Sequence, residues 1–135
     1  MADMLVVDDE RDIVQVLAEL LRHRGHDVCE APGGMQALAL ARQRRFDVIF
    51  LDIAMPGMNG IDTLRQLKDE FPETIVIMVS GLSDEQSAIM SLDLGASDYL
   101  RKPFDFNYLD RVVSLSLALV ACGRIARPAR SAHDG

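Results

Sequence analysis

The chain has 135 residues, 49% hydrophobic and 26% charged, with a net charge of −7. That is one domain with apolar material for its own core, and it excludes disordered, collagen-like and low-complexity chains. Two cysteines, Cys29 and Cys122, cannot staple a disulfide scaffold, no C-x-x-C pair marks zinc or redox work, and the acidic balance argues against direct nucleic-acid contact.

In chain order, short apolar runs alternate with helical patterns. Met4 to Val7 reads as a first strand, followed by acidic residues. Ile13, Val14, Leu17, Leu20 and Leu21 have helical spacing, and Gly25 suits the position after a helix end. His26 to Ala31 is a weak second strand, broken by Pro32-Gly33-Gly34. Ala37, Leu38 and Ala41 mark a second helix ending near Arg45. Val48 to Leu51 is the third strand and stops at Asp52. Pro56, Gly57, Asn59 and Gly60 mark a loop. Ile61, Leu64 and Leu67 belong to a third helix that stops before Pro72. Ile75 to Val79 is a continuous apolar run, as a strand covered on both faces should be. Ser83 and Gln86 have capping-box spacing, so a fourth helix is predicted from there to about Leu94, with Gly95 after it. Asp98 to Leu100 is a short fifth strand, ended by Lys102-Pro103. A last helix is predicted from about Phe106 to Gly123.

The longest strongly apolar stretch, Val112–Cys122, is far shorter than the roughly 20 residues of a membrane span. Met1–Met4 has no basic or hydrophobic leader. Arg124, Arg127 and Arg130 against Asp134 give the end of the chain +2 and leave −9 on the rest. The expectation is a cytoplasmic protein without a membrane partner, folded over residues 1–123, with 124–135 a flexible basic tail.

Five strands each followed by a helix imply an α/β fold, a doubly wound parallel sheet with helices on both faces. The active crevice of such a sheet lies beyond the carboxyl ends of its strands. Asp8 and Asp9 fall there after the first strand, Asp52 after the third, Ser80 after the fourth and Lys102 after the fifth. Three carboxylates in one crevice repel unless a cation joins them or some are protonated. Carboxylates, a carbonyl and waters suit Mg2+. A carboxylate can also attack phosphorus, with Lys102 and Ser80 available to stabilise phosphoryl oxygens. The inventory fits metal-assisted phosphoryl transfer to a carboxylate, without showing which one is attacked.

Val6-Val7-Asp8-Asp9-Glu10, Leu51-Asp52-Ile53-Ala54-Met55-Pro56-Gly57-Met58-Asn59-Gly60, Val79-Ser80-Gly81 and Asp98-Tyr99-Leu100-Arg101-Lys102-Pro103-Phe104 together resemble the receiver domain of bacterial response regulators. The resemblance covers roughly residues 4 to 120. It implies a flavodoxin-like (βα)5 sheet of order 2-1-3-4-5. It implies that Asp52 accepts a phosphoryl group from a histidine kinase or a histidine phosphotransfer protein. Asp9, Asp52 and the Ala54 main-chain carbonyl would ligate Mg2+, with Asp8 acting mainly through a metal-bound water. Lys102 would contact a phosphoryl oxygen, and its bond to Pro103 would be cis. Ser80 would hydrogen-bond the phosphoryl group, Tyr99 would turn inward behind it, and Gly81 would leave room for its entry. Ala54 and Leu82 stand where relatives carry side chains that influence the hydrolytic water. Neither can hydrogen-bond it, so a long-lived phosphoryl group is expected.

Two enzyme-like readings compete. A haloacid-dehalogenase-like phosphatase needs a second Asp two residues after its nucleophile, and here that position is Ala54. A flavodoxin needs a phosphate loop after the first strand, where Asp8-Asp9-Glu10 would repel phosphate. Turnover of an outside substrate is therefore not expected. The chain is read either as a stand-alone receiver or as part of a larger regulator with a DNA-binding or enzymatic output domain. On the last helix, Leu109, Val112, Val113, Ser116, Leu117 and Val120 share a core-facing stripe. Leu115 and Leu119 lie on another face, with Ala118 and Cys122. That face, with the fourth helix and fifth strand, is expected to bind a partner or a second copy.

Overall fold

A computed structural model describes residues 2–53, 59–81, 85–102 and 105–126. The elements are β1 (Asp3–Val7), α1 (Arg11–His23), β2 (Asp27–Ala31), α2 (Gly34–Gln43), β3 (Val48–Asp52), α3 (Gly60–Glu70), β4 (Ile75–Ser80), α4 (Glu85–Asp93), β5 (Asp98–Arg101) and α5 (Phe106–Ala126). Each predicted element is present. Most boundaries move by one or two residues. The largest shift is at α5, which continues through Gly123 to Ala126. Ser83, the expected cap of α4, and residues 127–135 of the expected tail lie outside the described residues.

The five strands pair in parallel in the order β2-β1-β3-β4-β5. Successive side chains of a strand point to opposite faces, and both faces are covered. On one face Met4, Val6, Val48, Phe50, Ile75, Ile77 and Val79 pack against Val14, Leu17 and Leu21 of α1 and Leu109, Val112 and Val113 of α5. On the other, Leu5, Val7, Ile49, Leu51, Val76 and Met78 meet Ala37, Leu38 and Ala41 of α2 and Leu64 and Leu67 of α3. The central strands β3 and β4 are buried along their whole length. That is why their sequences read as unbroken apolar runs.

The helix ends follow from local chemistry. Gly25 and Gly95 take φ of +91° and +106° just after α1 and α4, the left-handed region that glycine enters without cost. Asn59 caps α3 by accepting from the Asp62 N–H at 2.9 Å. Asp105 does the same for α5, accepting from Asn107 and Tyr108. No helix among the described residues is long and apolar enough to cross a membrane.

Candidate functional site

Strand register brings the acidic residues together. Val7 is level with Leu51, so Asp8 and Asp52 emerge side by side at the carboxyl edge. Asp52 is level with Val79, and Ser80 with Arg101. The Lys102 N–H donates to the Ser80 carbonyl at 2.9 Å, which fixes where the lysine leaves β5. Asp8, Asp52 and Ser80 are buried, at 4%, 3% and 0% exposure.

Lys102 is the hub. Its Nζ lies 2.6 Å from Asp8 Oδ2 and 3.1 Å from Glu10 Oε1, both within hydrogen-bond reach. Asp52 Oδ1 is farther, at 3.7 Å, an ion pair too long for a hydrogen bond. Burial alone would lower the pKa of the ammonium. The hydrogen bond to Asp8, the field of Asp52 and the bond to Glu10 outweigh it, and the lysine pKa is raised. The site thus holds one firmly charged cation among three carboxylates.

Those carboxylates are not the three expected. Asp8, Glu10 and Asp52 can offer oxygens that all lie within 4.8 Å of one another. Asp9 is exposed and outside this group, and it lines a groove of about 500 Å³ beside the site, with Arg11, Gln15, Glu19 and Glu30. The cause is local. The chain leaving β1 bends at Asp9, and the Glu10 N–H donates back to Asp8 Oδ1 at 2.9 Å, which ties residues 8 and 10 to each other. Glu10 is therefore the residue that motif reading missed. Its spacing of two from Asp8 was the signal. The donor set is all carboxylate oxygen, hard and anionic, and so fits Mg2+ better than softer metals.

The remaining expected residues are placed as follows. Ser80 is buried at the end of β4. Tyr99 on β5 is partly buried and packs against the α2–α3 core. Among the described residues, a side chain added at Gly81 would meet Lys102 Cβ at 4.0 Å, an ordinary contact. Ala54, Leu82, Pro103 and the loop residues Met55 to Met58 lie outside the described residues. The end of β3 is held by Gly60. Its N–H donates to the Ile53 carbonyl at 2.8 Å. A Cβ there would fall 2.1 Å from the Asp52 carbonyl oxygen, so only glycine fits.

Comparison with known proteins follows this geometry. Residues 4–114 match the family described as the response regulator receiver domain. The transcriptional regulatory protein ZraR of Klebsiella oxytoca is 40% identical over 116 residues, which is 86% of this chain and 26% of that protein. The transcriptional regulatory protein CpxR of Klebsiella pneumoniae is 44% identical over 105 residues, 78% of this chain and 44% of that protein. The crystal structure of the receiver domain of NtrX from Brucella abortus superposes with a TM-score of 0.82 at 36% identity. It covers 86% of this chain and 98% of that one. The chain spans less than half the length of either transcriptional regulator.

Proposed function

The chain belongs to the response regulator receiver domain family of two-component signalling, and on that premise we propose that Asp52 is its phosphoacceptor. The family's receivers bind Mg2+ at an acidic pocket and are phosphorylated by histidine kinases. The observation that carries the assignment is position. Asp52 is buried at the carboxyl end of β3, the middle strand of the sheet, between Asp8 after β1 and Ser80 at the end of β4. The Lys102 ammonium lies 3.7 Å from its Oδ1. The Asp52 oxygen forms a bond to phosphorus as the phosphorus–nitrogen bond of a phosphohistidine breaks. The electron pair leaves with the imidazole.

Lys102 turns its ammonium to a phosphoryl oxygen, and the Ser80 hydroxyl donates to another. Mg2+, when bound, neutralises charge on the transferring group. Asp8, Asp9 and Asp52 would hold it with the Ala54 carbonyl, which requires the Asp9 carboxylate to turn toward the other two. Tyr99 then packs inward behind Ser80. The groove beside Asp9, lined by α1, supports docking of the histidine-bearing kinase or phosphotransfer protein at that side. We read the chain as a cytoplasmic switch and not as an enzyme; Ala54 stands where a phosphatase of this chemistry needs its second Asp. We place the receiver in residues 1–123, acting on a partner or on the output domain of a larger regulator.

Leu115 and Leu119 are 65% and 58% exposed, as their helix face predicted, while Leu109, Val112, Val113 and Ser116 are buried. Ile89, Met90 and Leu92 on α4 are also exposed. We assign this α4–β5–α5 face to the partner or to a second copy of the chain. The assignment of Asp52 is tested by incubation with acetyl phosphate and Mg2+. One phosphoryl group should add to the parent and none to Asp52→Asn. The same added mass on the variant would overturn it.

A further inference from the structure

Lys102 has two tasks on the reading above, and they conflict. It neutralises the resting carboxylates, and it must leave them to meet a phosphoryl oxygen. Asp8 and Glu10 hydrogen-bond it at rest, and Asp52 adds its field from 3.7 Å. Asp8 is buried, and the Glu10 main-chain N–H donates to its Oδ1 at 2.9 Å, so its position does not depend on any side chain at residue 10. Glu10 differs. Its side chain is 62% exposed, yet its Oε1 reaches the lysine at 3.1 Å across the mouth of the crevice. It stands at the N-cap of α1 but makes no side-chain cap bond. Among the described residues, the partner of this carboxylate is Lys102.

We propose that Glu10 is a positioning residue, the resting-state anchor that keeps the Lys102 ammonium on the Asp8 side of the crevice until a phosphoryl group claims it. The inference rests on the receiver reading. Glu10 competes with the phosphoryl group for one cation, and it places a negative charge near a dianion once the lysine has gone. Both effects oppose phosphorylation. An exposed ion pair of this kind is weak and screened by salt. The expected penalty is therefore roughly two- to five-fold in affinity.

The test compares the parent chain with Glu10→Gln, which keeps size and removes charge. Beryllofluoride serves as the phosphoryl mimic at saturating Mg2+, and its affinity is read from amide shifts at Ser80 and Gly81. Glu10→Gln should bind it about two- to five-fold more tightly at an ionic strength of about 0.02 M. The difference should vanish near 0.5 M, where charges on the surface no longer feel each other. A purely structural role for Glu10 would not follow salt in this way. The denaturation midpoints of the two chains should agree. An unchanged or weaker affinity in Glu10→Gln, or a gain that persists at high salt, overturns the anchor role alone. A parent that binds no beryllofluoride overturns the receiver reading as well.

Discussion

At the amino end of the sheet arginines and carboxylates meet one to one, while at the carboxyl end a single lysine faces three carboxylates. Arg42 pairs with Glu70 at 2.6 Å, Arg44 with Asp3 at 3.0 Å and Arg45 with Glu73 at 3.5 Å. The arginine side chains there are about half exposed. At the other end Lys102 is 10% exposed and Asp8 and Asp52 less still. The first arrangement is electrically closed and lies in water, where each pair is worth little. The second is short of positive charge and shielded from water, where Coulomb terms are strong. An excess of buried negative charge costs stability, and a bound cation would relieve it. The acidic net charge of the chain is thus not spread evenly. Its useful part sits at one end of the sheet.

Damage to the scaffold of the carboxyl end should have the largest effect on stability. In Gly60→Ala the new methyl would meet the Asp52 carbonyl oxygen at 2.1 Å and the Ile53 Cα at 2.5 Å. Main chain on both sides leaves little room to yield, so the cost should reach about 3 kcal/mol. Urea denaturation would measure it. A loss below about 1 kcal/mol would mean that β3 and α3 can slide apart, and that Asp52 is less firmly placed than the geometry requires.

Lys102→Met attacks the charge balance instead. It leaves buried carboxylates facing one another, which costs about 3–5 kcal/mol in a closed site. Of the three carboxylates only Glu10, 62% exposed, meets water at this site, and its solvation relieves part of the repulsion, so about 2 kcal/mol is expected near neutral pH. Millimolar Mg2+ should restore much of it, and an equal dose should do little for the parent at the amino end. The pH dependence has a definite sign. The folded lysine pKa is raised above the ordinary 10.5. Its stabilising contribution is fully present below that value and is lost as pH rises through the folded one. Parent and variant should therefore converge in strongly alkaline solution. A gap that stays constant there would argue that packing of the lysine stem, not its charge, matters.

The sheet and its order were readable because the signals were redundant. Apolar runs of β3 and β4, Gly25 and Gly95 past helix ends, and Asn59 before α3 each point the same way. Asp52, Ser80 and Lys102 were readable because each directly ends a strand, so topology alone brings them to one edge. Glu10 was not, since motif reading treats Asp8-Asp9-Glu10 as a run of acids and ignores how the chain ties Glu10 back to Asp8. The ion pairs of the amino end were invisible for another reason. Arg42 and Glu70 stand 28 residues apart and meet only through the packing of α2 on α3. Helix ends were the least legible: α5 continues past Gly123, the residue at which sequence reading ends it.

A third region, the α4 and α5 flank, sharpens the contrast because it carries few charges. Seven of the nine large apolar side chains exposed among the described residues are on these two helices. A Leu115→Glu, Leu119→Glu variant should leave the unfolding free energy within about 0.5 kcal/mol, as surface changes do. It should also abolish any association of the parent that beryllofluoride induces. Sedimentation of both chains with and without the mimic decides the matter. A parent that stays monomeric throughout, with kinase and partner binding unchanged in the variant, removes the surface from the mechanism.

The smallest effect belongs to the amino end. The Arg42 guanidinium grips Glu70 with two hydrogen bonds, Nε to Oε1 at 2.7 Å and Nη2 to Oε2 at 2.6 Å. This hydrogen bonding lowers the Glu70 pKa and raises that of Arg42. The geometry is two-pronged and short, and in a dry site it would count for much. Here both groups stand in water, so the guanidinium gains little over its hydration and loses side-chain freedom. Arg42→Ala should shift the urea midpoint by no more than the scatter of repeated measurements at ordinary salt. What remains should have the sign of a depressed carboxylate. It is present above the ordinary Glu range near 4.5 and fades as pH falls through the lower folded value. A large loss in Arg42→Ala at neutral pH, insensitive to salt, would break the comparison. It would place a structural charge pair at the end of the sheet where exposure predicts none.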